Sequence, residues 1–221
     1  MVKEIQKEKT RNLRKYEART DDFQQAGTHP DMDIFSPFGP MIARMRVSAE
    51  LLDQLNSYAD QHVSTEHSSE FILPESLVDD GTQDCLHAVT SAYITRYLDF
   101  LENTTVVDVD FEVFWIVSQY ASTSSPVHFH SGEISGVLFL KVPVTEADEE
   151  IKNYISNRQA GYLNFLSGGK QRFARSLISF KPEPGDFYLF PGWLLHGAEP
   201  FRGSGERRSL AFNAYIKTAD S

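Results

Sequence analysis

Two histidines separated by one residue, in His128-Phe129-His130, and a third closing Pro191-Gly192-Trp193-Leu194-Leu195-His196 are the side chains best placed to do chemistry. Side chains alternate along an extended segment, so an H-x-H pair presents both imidazoles to one face. A third imidazole from a later strand closes a facial metal site with open positions. Imidazole suits iron, zinc, copper and nickel, and open positions mean reactivity rather than a structural staple. His29, His62, His67 and His87 lack ligand-like spacing.

Strands must carry these residues, and the pattern supplies them. From Val106 the period becomes two: Val107, Val109, Phe111, Val113, Trp115 and Val117 alternate first with Asp108, Asp110 and Glu112, then with Phe114 and Ile116. Such a segment starts half-exposed and ends buried on both faces. Further strands are expected at 41–47, 134–142, 162–165, 176–180, 186–190, 194–199 and 207–216. Pro184-Gly185 marks a tight turn, and Pro191 ends the strand after it. Ser48 is an N-cap for an amphipathic helix over 49–62, with Leu51, Leu55, Tyr58 and His62 on one side. A second helix is expected over 83–102, striped by Leu86, Val89, Tyr93, Tyr97 and Leu101. Residues 64–82 read as a loop, and 144–160 as an acidic excursion with a short helix. Two helices followed by many short strands indicate an α+β, mainly β, fold: a sandwich or barrel with the helices packed on one sheet.

The chain has 221 residues, which favours a polar N-terminal arm over 1–32 and a single domain over 33–221. Within that domain, 48–103 give helical support and 106–217 form the core. Sixteen Phe and nine Tyr suit a β-rich interior. The net charge of −10 excludes a general nucleic-acid binder, which needs a basic footprint, but not a small anion held by a local arginine. Residues 1–20 hold seven Lys/Arg against three Glu, so the remainder is more acidic still. Cys85, the single cysteine, allows no intrachain disulfide and fits a reducing cytoplasm; it reads as a small buried hydrophobe. Met1-Val2-Lys3-Glu4-Ile5 has no apolar signal core, and no run approaches a membrane span, so no membrane partner is expected.

The stretch from Trp115 to Asn213 resembles the double-stranded β-helix of the Fe(II)/2-oxoglutarate-dependent oxygenases, in a branch found in bacteria and their phages. The segments that carry the likeness are Trp115 through Pro126-Val127-His128-Phe129-His130, then Ser135-Gly136-Val137-Leu138-Phe139-Leu140. The last is Pro184-Gly185-Asp186 through Pro191, His196-Gly197 and Glu206-Arg207-Arg208-Ser209-Leu210-Ala211-Phe212-Asn213. The resemblance implies a jelly-roll, cupin-like barrel with N-terminal helices bracing one sheet. It implies a dioxygenase that uses Fe(II), 2-oxoglutarate as cosubstrate and dioxygen, hydroxylating a small molecule or peptide. His128 corresponds to the first iron ligand and His196 to the distal one. Arg207, eleven positions later, corresponds to the arginine that binds the distal carboxylate of 2-oxoglutarate. Ser209 shares its strand face and could add a hydroxyl. An arginine fork can grip a carboxylate bidentately where lysine cannot.

The chain departs from the family at one ligand. The common triad has a carboxylate two residues after the first histidine, and His130 stands there. His130 is the preferred third ligand and Glu133 the alternative carboxylate. Three histidines also resemble the sites of cupin dioxygenases that use no cosubstrate, and a non-enzymatic β-sandwich binding module is the remaining alternative. Trp115 and Phe139 are expected to line the barrel. Tyr162, Asn164 and Asn213 could reach cosubstrate or substrate. Arg202 and Arg208 read as solvated. The segments 1–32, 64–82 and 144–160 are expected to frame the mouth, where loops set specificity.

Overall fold

Phe187-Tyr188-Leu189-Phe190 has no polar face, so it belongs in the middle layer of a layered fold. The protein's computed structural model places it there. The structure describes residues 25–29, 32–35, 39–64, 66–74, 82–102, 105–145, 160–169 and 176–219. Its strands are β1 (Gln25–His29), β2 (Met32–Phe35), β3 (Ile42–Arg46), β4 (Ser69–Ile72), β5 (Val106–Gln119), β6 (Ser125–His128), β7 (Ile134–Lys141), β8 (Val144–Thr145), β9 (Leu163–Leu166), β10 (Leu177–Phe180), β11 (Asp186–Pro191), β12 (Leu195–Ala198), β13 (Gly203–Ser204) and β14 (Arg207–Thr218). The helices are α1 (Ala49–Ala59) and α2 (Thr82–Glu102).

A large antiparallel sheet runs in the order β1-β2-β3-β11-β7-β14-β5-β4. A small sheet, β10-β9-β12-β6, faces it, and β13 pairs with β8. Alternation along the shared strands sorts the core into two layers. Phe187 and Leu189 of β11 pack with Leu138, Leu210 and Phe212 against Leu51, Leu55, Leu86, Ile94 and Tyr97 of the two helices. Tyr188 and Phe190 point the other way and meet Phe139, Phe165, Ile178 and Phe180 between the sheets. The result is a double-stranded β-helix with helices on the outer face of one sheet, as the sequence reading expected. No helix among the described residues is long and apolar enough to cross a membrane.

The cap at Ser48 is present, its hydroxyl accepting from the Leu51 amide at 3.2 Å. Four details differ from the sequence reading. Residues 25–29, placed there in the polar arm, form β1 on β2; residues 1–24 and the 146–159 part of the acidic excursion lie outside the described residues. The 64–82 segment contains β4, whose Ser69 and Ile72 pair with Ser118 and Trp115; four residues gain strand geometry from that pairing, not from their own propensity. Cys85 is exposed, because α2 turns its apolar stripe elsewhere.

Arg208 is the fourth difference. It is not solvated but fully buried under α1. It donates to both Glu206 carboxylate oxygens at 2.7 and 3.0 Å and pairs with Asp60 at 2.8 Å. Its even-numbered place on β14 aims it at the helices, whereas Arg207 aims between the sheets. Arg208→Ala is expected to cost about 3 kcal/mol in a denaturant titration, the lower end for breaking a buried pair. Lys141 still reaches Glu206 at 3.4 Å and limits the loss.

Candidate active site

The two sheets bring the three histidines together. His128, at the end of β6, stands opposite His196 on β12. His130 follows in the turn that leaves β6. Ring centroids lie 4.5 Å apart for His128 and His196, 4.8 Å for His128 and His130, and 5.0 Å for His130 and His196. One nitrogen from each lies within 4.8 Å of the others.

Hydrogen bonds set the tautomers. His128 Nδ1 lies 2.6 Å from the Pro126 carbonyl, and His196 Nδ1 lies 2.8 Å from the Leu194 carbonyl. A carbonyl can only accept, so each Nδ1 carries the proton and each Nε2 keeps its lone pair. Phe190 and Phe165 pack against the His196 ring, and Trp115 packs edge-on against His130. Burial, reinforced by the neighbouring His128, pushes His130 down to about 4. Burial also drives His196 down to about 4, against the pull of its bond to the Leu194 carbonyl. Neutral imidazoles with free lone pairs are what a divalent metal needs, so the donor set fits an iron ion.

Glu133, the alternative carboxylate, faces away, with its Oε2 accepting from the Ile216 amide at 2.8 Å. Two backbone bonds stitch its turn to the turn before His196: His130 N–H to Gly192 O and Gly192 N–H to Glu133 O, both 2.9 Å. Gly192 has no room for a side chain, since a Cβ there would run into the Gly132 carbonyl. Gly192→Ala is expected to part the two turns and cost about 1–3 kcal/mol, as overpacking does. A lower melting temperature together with reduced metal content would register it.

The histidines open into a cavity of about 310 Å³ between the sheets, which Trp115, Phe139, Arg207 and Ser209 also line. Arg207 is only 1% exposed. Its Nε and Nη2 both donate to Gln119 Oε1, at 3.0 and 2.8 Å, and its Nη1 to the Glu199 carbonyl at 2.6 Å. These acceptors are neutral. Burial lowers Arg207 to about 10, with the Glu199 charge pulling the other way. A buried guanidinium whose bonded partners carry no charge fits an anionic ligand.

Asn164 and Asn213 do not line this cavity. The Asn164 amide donates to Glu199 Oε1 at 2.7 Å; its neighbour Leu163 faces the cavity, so Asn164 faces away. Asn213 accepts from Ser135 Oγ at 2.8 Å, beneath the turn at Gly132. Tyr162 is not among the lining residues either. Gln119 and Glu70, which do line it, carry no motif of their own; only their strand faces, shared with Trp115 and set by pairing, point to them.

Comparison with known proteins agrees with this geometry. A sequence family described as "Putative 2OG-Fe(II) oxygenase" matches residues 113–213. No curated protein matches. Among solved structures, a 2OG-Fe(II) oxygenase family oxidoreductase from Burkholderia pseudomallei is similar with a TM-score of 0.54 at 14% identity, covering 78% of this chain and 83% of that one. The viral collagen prolyl hydroxylase of Paramecium Bursaria Chlorella virus-1, solved with 2OG, gives 0.53 at 14%, covering 78% and 94%. HygX from Streptomyces hygroscopicus, solved with nickel and 2-oxoglutarate, gives 0.53 at 11%, covering 78% and 81%. Over residues 113–213, carried on a double-stranded β-helix, the chain is similar to the Fe(II)/2-oxoglutarate-dependent oxygenases, and its three-histidine cluster fits the iron such enzymes use.

Proposed function

We propose that this Fe(II)- and 2-oxoglutarate-dependent dioxygenase hydroxylates a C–H bond of a small-molecule or peptide substrate. His128, His130 and His196 hold the iron, and Arg207 with Ser209 holds the distal carboxylate of 2-oxoglutarate. The observation that supports this reading is one cavity shared by three clustered imidazoles and a buried arginine. When bound, iron and 2-oxoglutarate supply oxidative decarboxylation by dioxygen, yielding succinate, CO2 and an oxidant for the substrate.

The protein's own part is to bind, orient and keep the site dry. The Pro126 and Leu194 carbonyls hold His128 and His196 in the tautomer that offers Nε2. Arg207 has five N–H groups, three of them committed to Gln119 and Glu199. That leaves one on each terminal nitrogen, a two-pronged grip for a carboxylate. Ser209 lies on the same strand face two residues on. Trp115 and Phe139 wall the cavity with apolar surface. His130 in place of a carboxylate suits a three-histidine metalloenzyme without cosubstrate equally well, but such an enzyme gives Arg207 no ligand. A cytoplasmic location is the reading that a single cysteine supports.

The test is 2-oxoglutarate turnover by iron-loaded protein. Succinate release that requires both Fe(II) and 2-oxoglutarate is the expected result. Iron-loaded protein that binds no 2-oxoglutarate in calorimetry sinks the proposal.

A further inference from the structure

Gln119 is 6% exposed and takes no part in the sequence motif. Its amide works in two directions. The carbonyl oxygen accepts from both Nε and Nη2 of Arg207, and the Nε2 group donates to Ser125 Oγ at 3.2 Å. Ser125 begins β6, the strand that ends at His128. Arg207 is tied from the other side by the Glu199 carbonyl, which directly follows β12, the strand of His196. The carboxylate anchor on the large sheet is thus bolted to both small-sheet strands that carry histidines.

Chemistry adds a reason for an amide at this place. A carboxylate there would neutralise Arg207 and compete with any anionic ligand. An apolar side chain would leave two buried N–H groups unpaired and the guanidinium held by the Glu199 carbonyl alone. An amide satisfies that edge without cancelling the charge.

We infer that Gln119 is a specificity-determining positioning residue: it fixes the span between the Arg207 anchor and the histidine cluster, and so selects a five-carbon 2-oxo diacid over keto acids of other lengths. The inference rests on the oxygenase reading above. It concerns the length and charge of the cosubstrate, not the reacting atoms.

The experiment is calorimetry on anaerobic Fe(II)-loaded full-length protein with three ligands: 2-oxoglutarate, 2-oxoadipate (one methylene longer) and 2-oxobutanoate (no distal carboxylate). The variants are Gln119→Met, which keeps the volume and removes the acceptor, and Gln119→Glu, which keeps the acceptor and adds charge. Wild type is expected to prefer 2-oxoglutarate over both others. Gln119→Met is expected to weaken 2-oxoglutarate by about 10–100-fold, as loss of an orienting partner does, and to erase the preference over 2-oxoadipate. Gln119→Glu is expected to weaken 2-oxoglutarate and 2-oxoadipate together. In both variants 2-oxobutanoate affinity and metal content stay at wild-type levels, which a merely structural role would not predict. Wild-type affinity and length preference in Gln119→Met overturn the inference alone. So does a parallel loss of all three ligands and of metal in both variants. If iron-loaded wild type binds none of the keto acids, the oxygenase reading falls and takes the inference with it.

Discussion

Replacing Arg207 with alanine is expected to weaken 2-oxoglutarate binding by about 10²–10⁴-fold while leaving metal content unchanged. Two N–H groups of Arg207 remain free for a carboxylate, one on each terminal nitrogen. Each charge-assisted bond is worth about 1.5–3 kcal/mol, so losing both removes about 3–6 kcal/mol. The low exposure of Arg207 keeps water from substituting for them. Arg207→Lys restores charge without the fork and is expected to recover only part of the loss. Calorimetry of 2-oxoglutarate on iron-loaded variants measures this, and wild-type affinity in Arg207→Ala would remove Arg207 from the assignment. Some stability is lost as well, because the Glu199 carbonyl loses its Arg207 donor and Gln119 Oε1 keeps only the Ser125 hydroxyl, at 3.4 Å. A denaturation curve beside the binding data separates the two effects.

Replacing His196 with alanine is expected to lower iron affinity by more than about 100-fold, since even the partner that orients a ligand commonly costs 10–100-fold. His196 is the most enclosed of the three, 6% exposed and packed against Phe190 and Phe165. The cavity left behind adds a stability cost on top of the lost metal. Metal analysis after anaerobic loading reads the first effect. Glu133→Gln is the matched control: its carboxylate serves the Ile216 amide, so metal content should not change. A loss of iron in Glu133→Gln equal to that in His130→Ala would move the third ligand from His130 to Glu133.

Periodicity and punctuation carry most of the fold in plain view. β5 is marked by a period of two, β7 and β11 by apolar runs bounded by Gly and Pro, and β5, β7, β11 and β14 each lie within two or three residues of where pattern places them. Those are long, strongly apolar strands whose burial on both faces leaves few alternatives. β4 escaped notice because Ser69-Glu70-Phe71-Ile72 is short, half-exposed and an edge. Its strand geometry comes from hydrogen bonds to β5, which no local window contains.

The site divides along the same line. H-x-H on one segment, a lone histidine on another and R-x-S on a third are legible because side-chain alternation is a local property. Their convergence, with ring centroids 4.5 to 5.0 Å apart, is a property of how the small sheet closes over the large one. The adjacent pair Arg207 and Arg208 shows the difference most sharply. One residue of register sends Arg207 between the sheets to Gln119 and Arg208 beneath α1 to Glu206. Composition and spacing name both as arginines on a strand. Which of them faces a ligand depends on which sheet face the helices cover, and only long-range packing determines that.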